Sequence, residues 1–195
     1  MTTAFFDRII YIHGFGSSSN GNKVSFLKEI AKELELDLIA VDYDSSASYE
    51  DCVAKIKAQI PTDGNSMFIG TSLGAFYAIT LANMTENPCI VLNPSLDPYH
   101  SLRKYLDKLV NGLFSNISAI ESYQGKSFPK PQYGCRAMFE TGDDVLDHSA
   151  AIEHLKEHAA INIIEGGSHR FESYDLLKKE IIDLNNRGVF DYDGD

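Results

Sequence analysis

"FIGTSLGAF", residues Phe68–Phe76, is the stretch on which the fold turns. Inside it, Gly70-Thr71-Ser72-Leu73-Gly74 has the form G-x-S-x-G. An apolar run, Ser66–Ile69 (SMFI), precedes it, and a segment of helical length, Ala75–Met84, follows. Glycines on both flanks remove β-carbons where a chain must turn sharply from a strand into a helix. The serine between them is held in a strained conformation, its hydroxyl projecting at the start of a helix whose N-terminal field favours negative charge. At about 7 % glycine, such a pentapeptide arises by chance in roughly one chain in twenty of this length. The flanking strand and helix therefore carry the weight, and Ser72 reads as a nucleophile rather than a turn serine.

Outward from this point, short apolar runs alternate with helical patterns. Arg8–Ile12, Asp37–Val41, Ser66–Ile69, Cys89–Leu92, Arg136–Phe139 and Asn162–Ile164 are expected to be six buried strands. Helices are expected near Lys23–Leu34, Tyr49–Ile60, Ala75–Met84, Ser149–His158 and Tyr174–Asn185, with Ser48 and Asp51 as a capping pair for the second. This alternation predicts an α/β protein: a mainly parallel six-stranded sheet with helices on both faces. Ligands on such sheets bind beyond the C-terminal ends of the strands, so the loops after the strands are the place to seek chemistry.

A serine nucleophile needs a base and an acid, which in this topology follow in the order Ser, acid, His. After the strand RAMFE comes Thr141-Gly-Asp-Asp-Val-Leu-Asp147, and after NIIE comes Gly166-Gly-Ser-His169. Among six histidines, His169 is the one beyond the last strand. His13 precedes the glycines of the first loop and reads as structural, His100 lies in an insertion, and His148 follows the acidic loop. Asp143 is the first choice of acid, with Asp144, Asp147 and Asp97 as alternatives; each loser would cap a turn or helix.

Two further motifs compete with this reading. The loop "YIHGFGSSSNGNKVSFL", Tyr11–Leu27, separates Gly16 and Gly21 as a phosphate loop does. Asn22 intrudes before Lys23, however, and Val24 stands where the magnesium-binding hydroxyl is needed, so nucleotide binding is not expected. His154-Leu-Lys-Glu157-His158 matches the inverted zincin pattern H-x-x-E-H, but no further acidic ligand is placed, and a solvated helix face is the expected reading. No metal or other cofactor is expected.

The chain has 195 residues, 44 % of them hydrophobic, with 17 basic against 28 acidic residues and a net charge of −11. That length suits one domain over 1–195 with a substantial core. The charge argues against nucleic acid and anionic membrane as partners, and no apolar stretch is long enough to span a bilayer. Met1–Asp7 lacks the regions of a secretory signal, and Cys52, Cys89 and Cys135 form no C-x-x-C pair, so a cytoplasmic location is expected. The rhythm breaks at about 98–135, an expected cap or lid insertion. It carries Arg103, Lys104, Lys108, Lys126 and Lys130 against Asp107 and Glu121, interleaved with Tyr99, Tyr105, Phe114, Tyr123, Phe128 and Tyr133.

Taken in order, Tyr11-Ile-His-Gly-Phe15 with Ser17-Ser18, Gly70-Thr-Ser-Leu-Gly74, Asn93-Pro94, Thr141-Gly-Asp-Asp-Val-Leu-Asp147 and Glu165-Gly-Gly-Ser-His169 with Phe171 resemble the α/β-hydrolase superfamily. They are most similar to the small bacterial YqiA/YcfP-like esterases. The resemblance implies a compact α/β-hydrolase fold and a cofactor-free esterase or thioesterase acting on a small-molecule acyl ester or thioester. It implies Ser72, Asp143 and His169 as the triad, and the backbone amides of Phe15 and Leu73 as the oxyanion hole. Residues 99–134 match the family poorly, and Ala75 stands where relatives often have a further glycine. A non-catalytic ligand- or partner-binding protein of the same fold is the alternative.

Overall fold

The computed structural model describes residues 5–95, 97–104 and 117–187. Six strands form one parallel sheet: β1 (Arg8–Ile12), β2 (Asp37–Ala40), β3 (Ser66–Thr71), β4 (Cys89–Leu92), β5 (Cys135–Glu140) and β6 (Ala160–Ile164). Their spatial order is β2-β1-β3-β4-β5-β6. The helices are α1 (Asn22–Glu33), α2 (Tyr49–Lys57), α3 (Leu73–Thr85), α4 (Pro98–Arg103), α5 (Ile117–Glu121), α6 (Ser149–Leu155) and α7 (Tyr174–Arg187). Strand order reverses between β1 and β3, so the loops after these two strands meet at the switch point where such sheets hold ligands.

Side-chain alternation along the buried strands divides the core in two. Ile9, Tyr11, Met67, Ile69, Ile90, Leu92 and Met138 face Leu27, Ile30 and Ala31 of α1 and Leu177, Ile181 and Leu184 of α7. Ile10, Ile12, Phe68, Val91, Ala137 and Phe139 face the opposite layer, where Cys52 and Ile56 of α2, most of α3, and Ala151 and Leu155 of α6 pack. α3 is apolar nearly all round because its sides are covered by the sheet, by α2 and by the returning insertion. Ser48 caps α2 as expected, accepting from the Asp51 amide at 3.2 Å while its hydroxyl donates to the Asp51 carboxylate at 2.7 Å.

Four expectations need correction. β2 and β6 are the two edges of the sheet and stay partly exposed instead of being buried strands. α2 stops at Lys57, short of Ile60. α6 stops at Leu155, so His154 lies in its last turn and His158 beyond it; the zincin spacing does not fall on one helical face. The insertion is not wholly a cap. Tyr123 and Phe128 are buried in the core, the Tyr123 hydroxyl against that of Tyr77 and the Phe128 ring against Phe76. Tyr105, Asp107, Lys108 and Phe114 fall outside the described residues.

Among the described residues no helix is long and apolar enough to cross a membrane.

At the switch point a β-carbon on Gly74 would overlap the carbonyl oxygens of Ile12 and His13. Gly74→Ala is therefore expected to lower stability by about 1–3 kcal/mol. At Gly16, by contrast, open space leaves only the cost of its positive φ of 66°. Urea unfolding of the two variants measures the difference.

Candidate active site

The serine sits where the sequence pattern requires strain. Ser72 has φ 53° and ψ −118°, a left-handed conformation costly for a residue with a β-carbon. Its surroundings impose that conformation. The Ser72 amide donates to the Leu92 carbonyl of β4 at 3.0 Å, and its carbonyl accepts from the Ala75 and Ser95 amides at 3.0 and 3.2 Å. Gly70 leaves room for the Gly74 carbonyl and the Ala75 backbone, which a β-carbon would overlap.

From β5, the chain turns into the acidic loop. The Asp143 side chain is 1 % exposed. Its Oδ1 accepts from the Val145 and Leu146 amides at 2.8 and 2.9 Å, and its Oδ2 lies 2.8 Å from His169 Nδ1. Burial pulls the Asp143 carboxyl upward, but the Leu146 amide, the His169 ring and the Val145 amide outweigh it and hold it below its ordinary value. His169 Nε2 stands 3.1 Å from Ser72 Oγ. The structure thus brings Ser72, His169 and Asp143 into one hydrogen-bonded series.

The other candidates fall elsewhere. Asp144 and Asp147 are exposed, and Asp147 caps the amide of Ser149 at 2.9 Å. Asp97 caps α4 and reaches His100 Nδ1 at 2.5 Å. His13 is buried against the Tyr43 ring, 4.3 Å between centroids, and burial lowers its pKa. His154 packs edge-on against Phe128, and burial lowers its pKa too. Among the described residues no group of three His, Cys, Asp or Glu side chains is arranged to hold a metal ion.

Three residues at the site escaped the sequence reading. His148 places Nε2 within 3.0 Å of the same Asp143 Oδ2 that meets His169, without hydrogen-bond alignment, and burial lowers its pKa. Glu140, fully buried at the end of β5, accepts from the amides of Ser168, Glu172 and Ser173 and from the Ser173 hydroxyl, at 2.6–2.9 Å. Lys23 points inward from the first turn of α1, donating to the Arg170 and Phe171 carbonyls at 2.8 and 3.1 Å. The signals were present: a charged residue ending an apolar strand, and a lysine at the position that failed the phosphate-loop pattern.

A cavity of about 710 Å³ opens beside Ser72. Its walls include Phe15 and Leu73, the start of α1 from Gly21 to Val24, Ser101 and Leu102 of α4, Val145 and Leu146, and His169 with Arg170. Leu73 is the first residue of α3, where amide groups point out of the helix end. Tyr123 and Phe128 are not among the lining residues, so these two aromatics of the insertion serve the core and not the cavity.

Burial pushes the Lys23 ammonium down from 10.5 to about 8, although Glu140 and Glu172 pull it back up. Between those two values the folded protein has released a proton that the unfolded chain still holds, so this group's contribution to stability rises with pH there. The stability difference between wild type and Lys23→Met is expected to grow in favour of wild type from about pH 8 to 10, as read from urea unfolding midpoints.

Comparison with known proteins agrees with this architecture. A UPF0227 protein of Pectobacterium atrosepticum is 24 % identical over 170 residues, 85 % of this chain and 91 % of its own. YcfP of Escherichia coli is 22 % identical over the same length. Among solved structures, mouse alpha/beta hydrolase domain-containing protein 10 superposes with a TM-score of 0.72 at 17 % identity, covering 93 % of this chain and 90 % of its own. Est1E from Butyrivibrio proteoclasticus gives 0.68 at 14 %, over 93 % and 88 %. The Pyrococcus furiosus esterase gives 0.65 at 16 %, over 94 % and 83 %. These likenesses establish the α/β-hydrolase fold. The model of UPF0227, described as an uncharacterised protein family, matches residues 8–186, from β1 into the last turn of α7, and the chain belongs to that family.

Proposed function

We propose that the protein is a serine hydrolase, an esterase or thioesterase that cleaves a small-molecule acyl ester or thioester, with the whole chain acting as one cytoplasmic domain. The observation that carries this reading is the series Ser72 Oγ, His169 Nε2, His169 Nδ1, Asp143 Oδ2, with separations of 3.1 and 2.8 Å, at the wall of an open cavity. A hydroxyl on a strained turn, a ring nitrogen at hydrogen-bond distance and a buried carboxylate on the far ring nitrogen form a nucleophile, a base and the group that orients the base. Support for the setting comes from Cys52, Cys89 and Cys135, all buried thiols and none in a disulfide. Solved proteins of similar fold include esterases from Pyrococcus furiosus and Rhodococcus.

The reaction follows from these roles. His169 Nε2 takes the Ser72 proton as Oγ attacks the acyl carbon, and the carbonyl electrons move onto oxygen. Asp143 fixes the Nδ1–H tautomer and stabilises the imidazolium that forms. The Phe15 and Leu73 amides receive the oxyanion, donors worth about 2.7–4 kcal/mol each in known cases. The tetrahedral adduct then collapses, His169 returns the proton to the departing alkoxide or thiolate, and an acyl-Ser72 ester remains. Water, deprotonated by His169, attacks that ester; the acid leaves and Ser72 regains its proton.

Ser72→Ala is expected to reduce turnover of p-nitrophenyl esters by at least about 10³-fold with the fold unchanged. A fluorophosphonate probe is expected to label wild type at Ser72, as read by mass spectrometry of the adduct. Full activity in the variant overturns the proposal, and a wild-type chain that takes no label favours the ligand-binding alternative.

A further inference from the structure

His169 lies between β6 and α7, in a segment with no helix or strand of its own. Its local preferences are poor anchors: Gly166 and Gly167 have φ of 81° and 70°, and Phe171 holds φ 61° with its ring fully buried. A loop of this kind keeps one conformation only when its surroundings over-determine it.

The surroundings do so from opposite directions and with opposite charge. From β5, the Glu140 carboxylate takes the amides of Ser168, Glu172 and Ser173 and the Ser173 hydroxyl. From α1, the Lys23 ammonium takes the carbonyls of Arg170 and Phe171 and lies over the Phe171 and Tyr174 rings, 5.5 and 4.9 Å from their centroids. Asn93 completes the grip: its Nδ2 donates to the Ser168 carbonyl at 2.9 Å, and its Oδ1 accepts from the Glu140 amide at 2.8 Å. A β-carbon on Gly167 would overlap the Glu140 carboxylate, so the loop lies directly on that side chain. Among the described residues no carboxylate stands within ion-pair distance of Lys23, and no cation within ion-pair distance of Glu140. Each charge therefore makes its direct contacts with the loop and its flanks, and none with a partner ion. Buried ions are costly, and well-packed apolar residues often stabilise a core better; the arrangement is explained by the geometry it imposes.

We propose that Glu140 and Lys23 are positioning residues: the buried carboxylate grips the amides, and the buried ammonium the carbonyls, of segment 168–173, and together they hold the His169 ring between Ser72 and Asp143. The inference rests on the reading of His169 as the general base. Misplacement of a reacting group by about 1 Å costs on the order of 10²-fold in rate, so the effect belongs in kcat and not in substrate affinity.

The test uses Glu140→Gln and Lys23→Met, each compared with wild type for hydrolysis of a short p-nitrophenyl ester. Both are expected to lose about 10–100-fold in kcat, with KM changed by less than about threefold. Arg136→Gln, which breaks the ties from β5 to Glu180 and Asp183 of α7, provides a control that loses partly buried ionic contacts away from the loop. It is expected to keep its kcat. Ser173→Ala removes one donor to Glu140 and, with the least disturbance, gives a smaller loss in the same direction. The proton NMR resonance of His169 Nδ1–H, expected at low field in wild type because Asp143 Oδ2 lies 2.8 Å away, is expected to move or broaden in the Glu140 and Lys23 variants and to persist in Arg136→Gln. Wild-type kcat and an unmoved resonance in the folded variants overturn the proposal. A moved resonance in a protein that hydrolyses no ester keeps it and removes the hydrolase reading instead.

Discussion

Between the end of β1 and the first turn of α3 there is no room for a side chain. Gly74 rests against the carbonyl oxygens of Ile12 and His13, and Gly70 against Gly74 and Ala75. That close approach brings the N-terminus of a buried helix to the point where strand order reverses. Much else follows from it. Ser72 is forced to positive φ, its amide and carbonyl are tied to β4 and to the chain after β4, and the loop after β1 lies beside its hydroxyl. One steric constraint therefore sets the position of the serine, the direction of its side chain and the identity of its neighbours.

The second requirement is electrical. The chain carries a net charge of −11, yet its interior holds a carboxylate and an ammonium that meet backbone groups and not each other. Close by, Asp143 is nearly sealed from solvent and meets two histidine rings at one oxygen. A loop that lacks its own secondary structure has unpaired amides and carbonyls, and burying them is unfavourable unless each finds a partner. Ionised side chains provide several strong bonds from one point. The same residues that would be liabilities in an apolar core are the natural partners for the irregular segment that carries His169.

How far the sequence could be read depended on whether the physics was local. The strands were legible because apolar runs of fixed length are a local signal; the boundaries moved by a residue or two, and β2 and β6 proved half-exposed because edge position is a property of the assembled sheet. The convergence of Ser72, Asp143 and His169 was legible because each follows a strand end in a fixed order, and the fold brings those ends together. Glu140 and Lys23 were not, since their meaning lies in contacts across 28–33 and 147–148 positions of chain. The failed phosphate-loop pattern was informative in one direction alone: it removed a nucleotide from consideration but left the inward course of Lys23 unseen. Tyr123 and Phe128 were misjudged for a related reason, because an aromatic residue in a polar stretch does not reveal which surface it covers.

The returning half of the insertion has a wider meaning. At its near end, α4 is capped by Asp97, and the Ser101 hydroxyl meets that of Ser95 at 2.8 Å. At its far end, the Ser122 hydroxyl accepts from the Tyr49 amide at 2.8 Å, and Tyr123 is fastened in the core beside Tyr77. The span between is thus moored at two roots that belong to the body of the protein. Closing a longer or shorter loop between fixed roots costs little, since the entropy varies only with the logarithm of length. Length can accordingly change between these roots at little cost to the sheet or to the loop that carries His169.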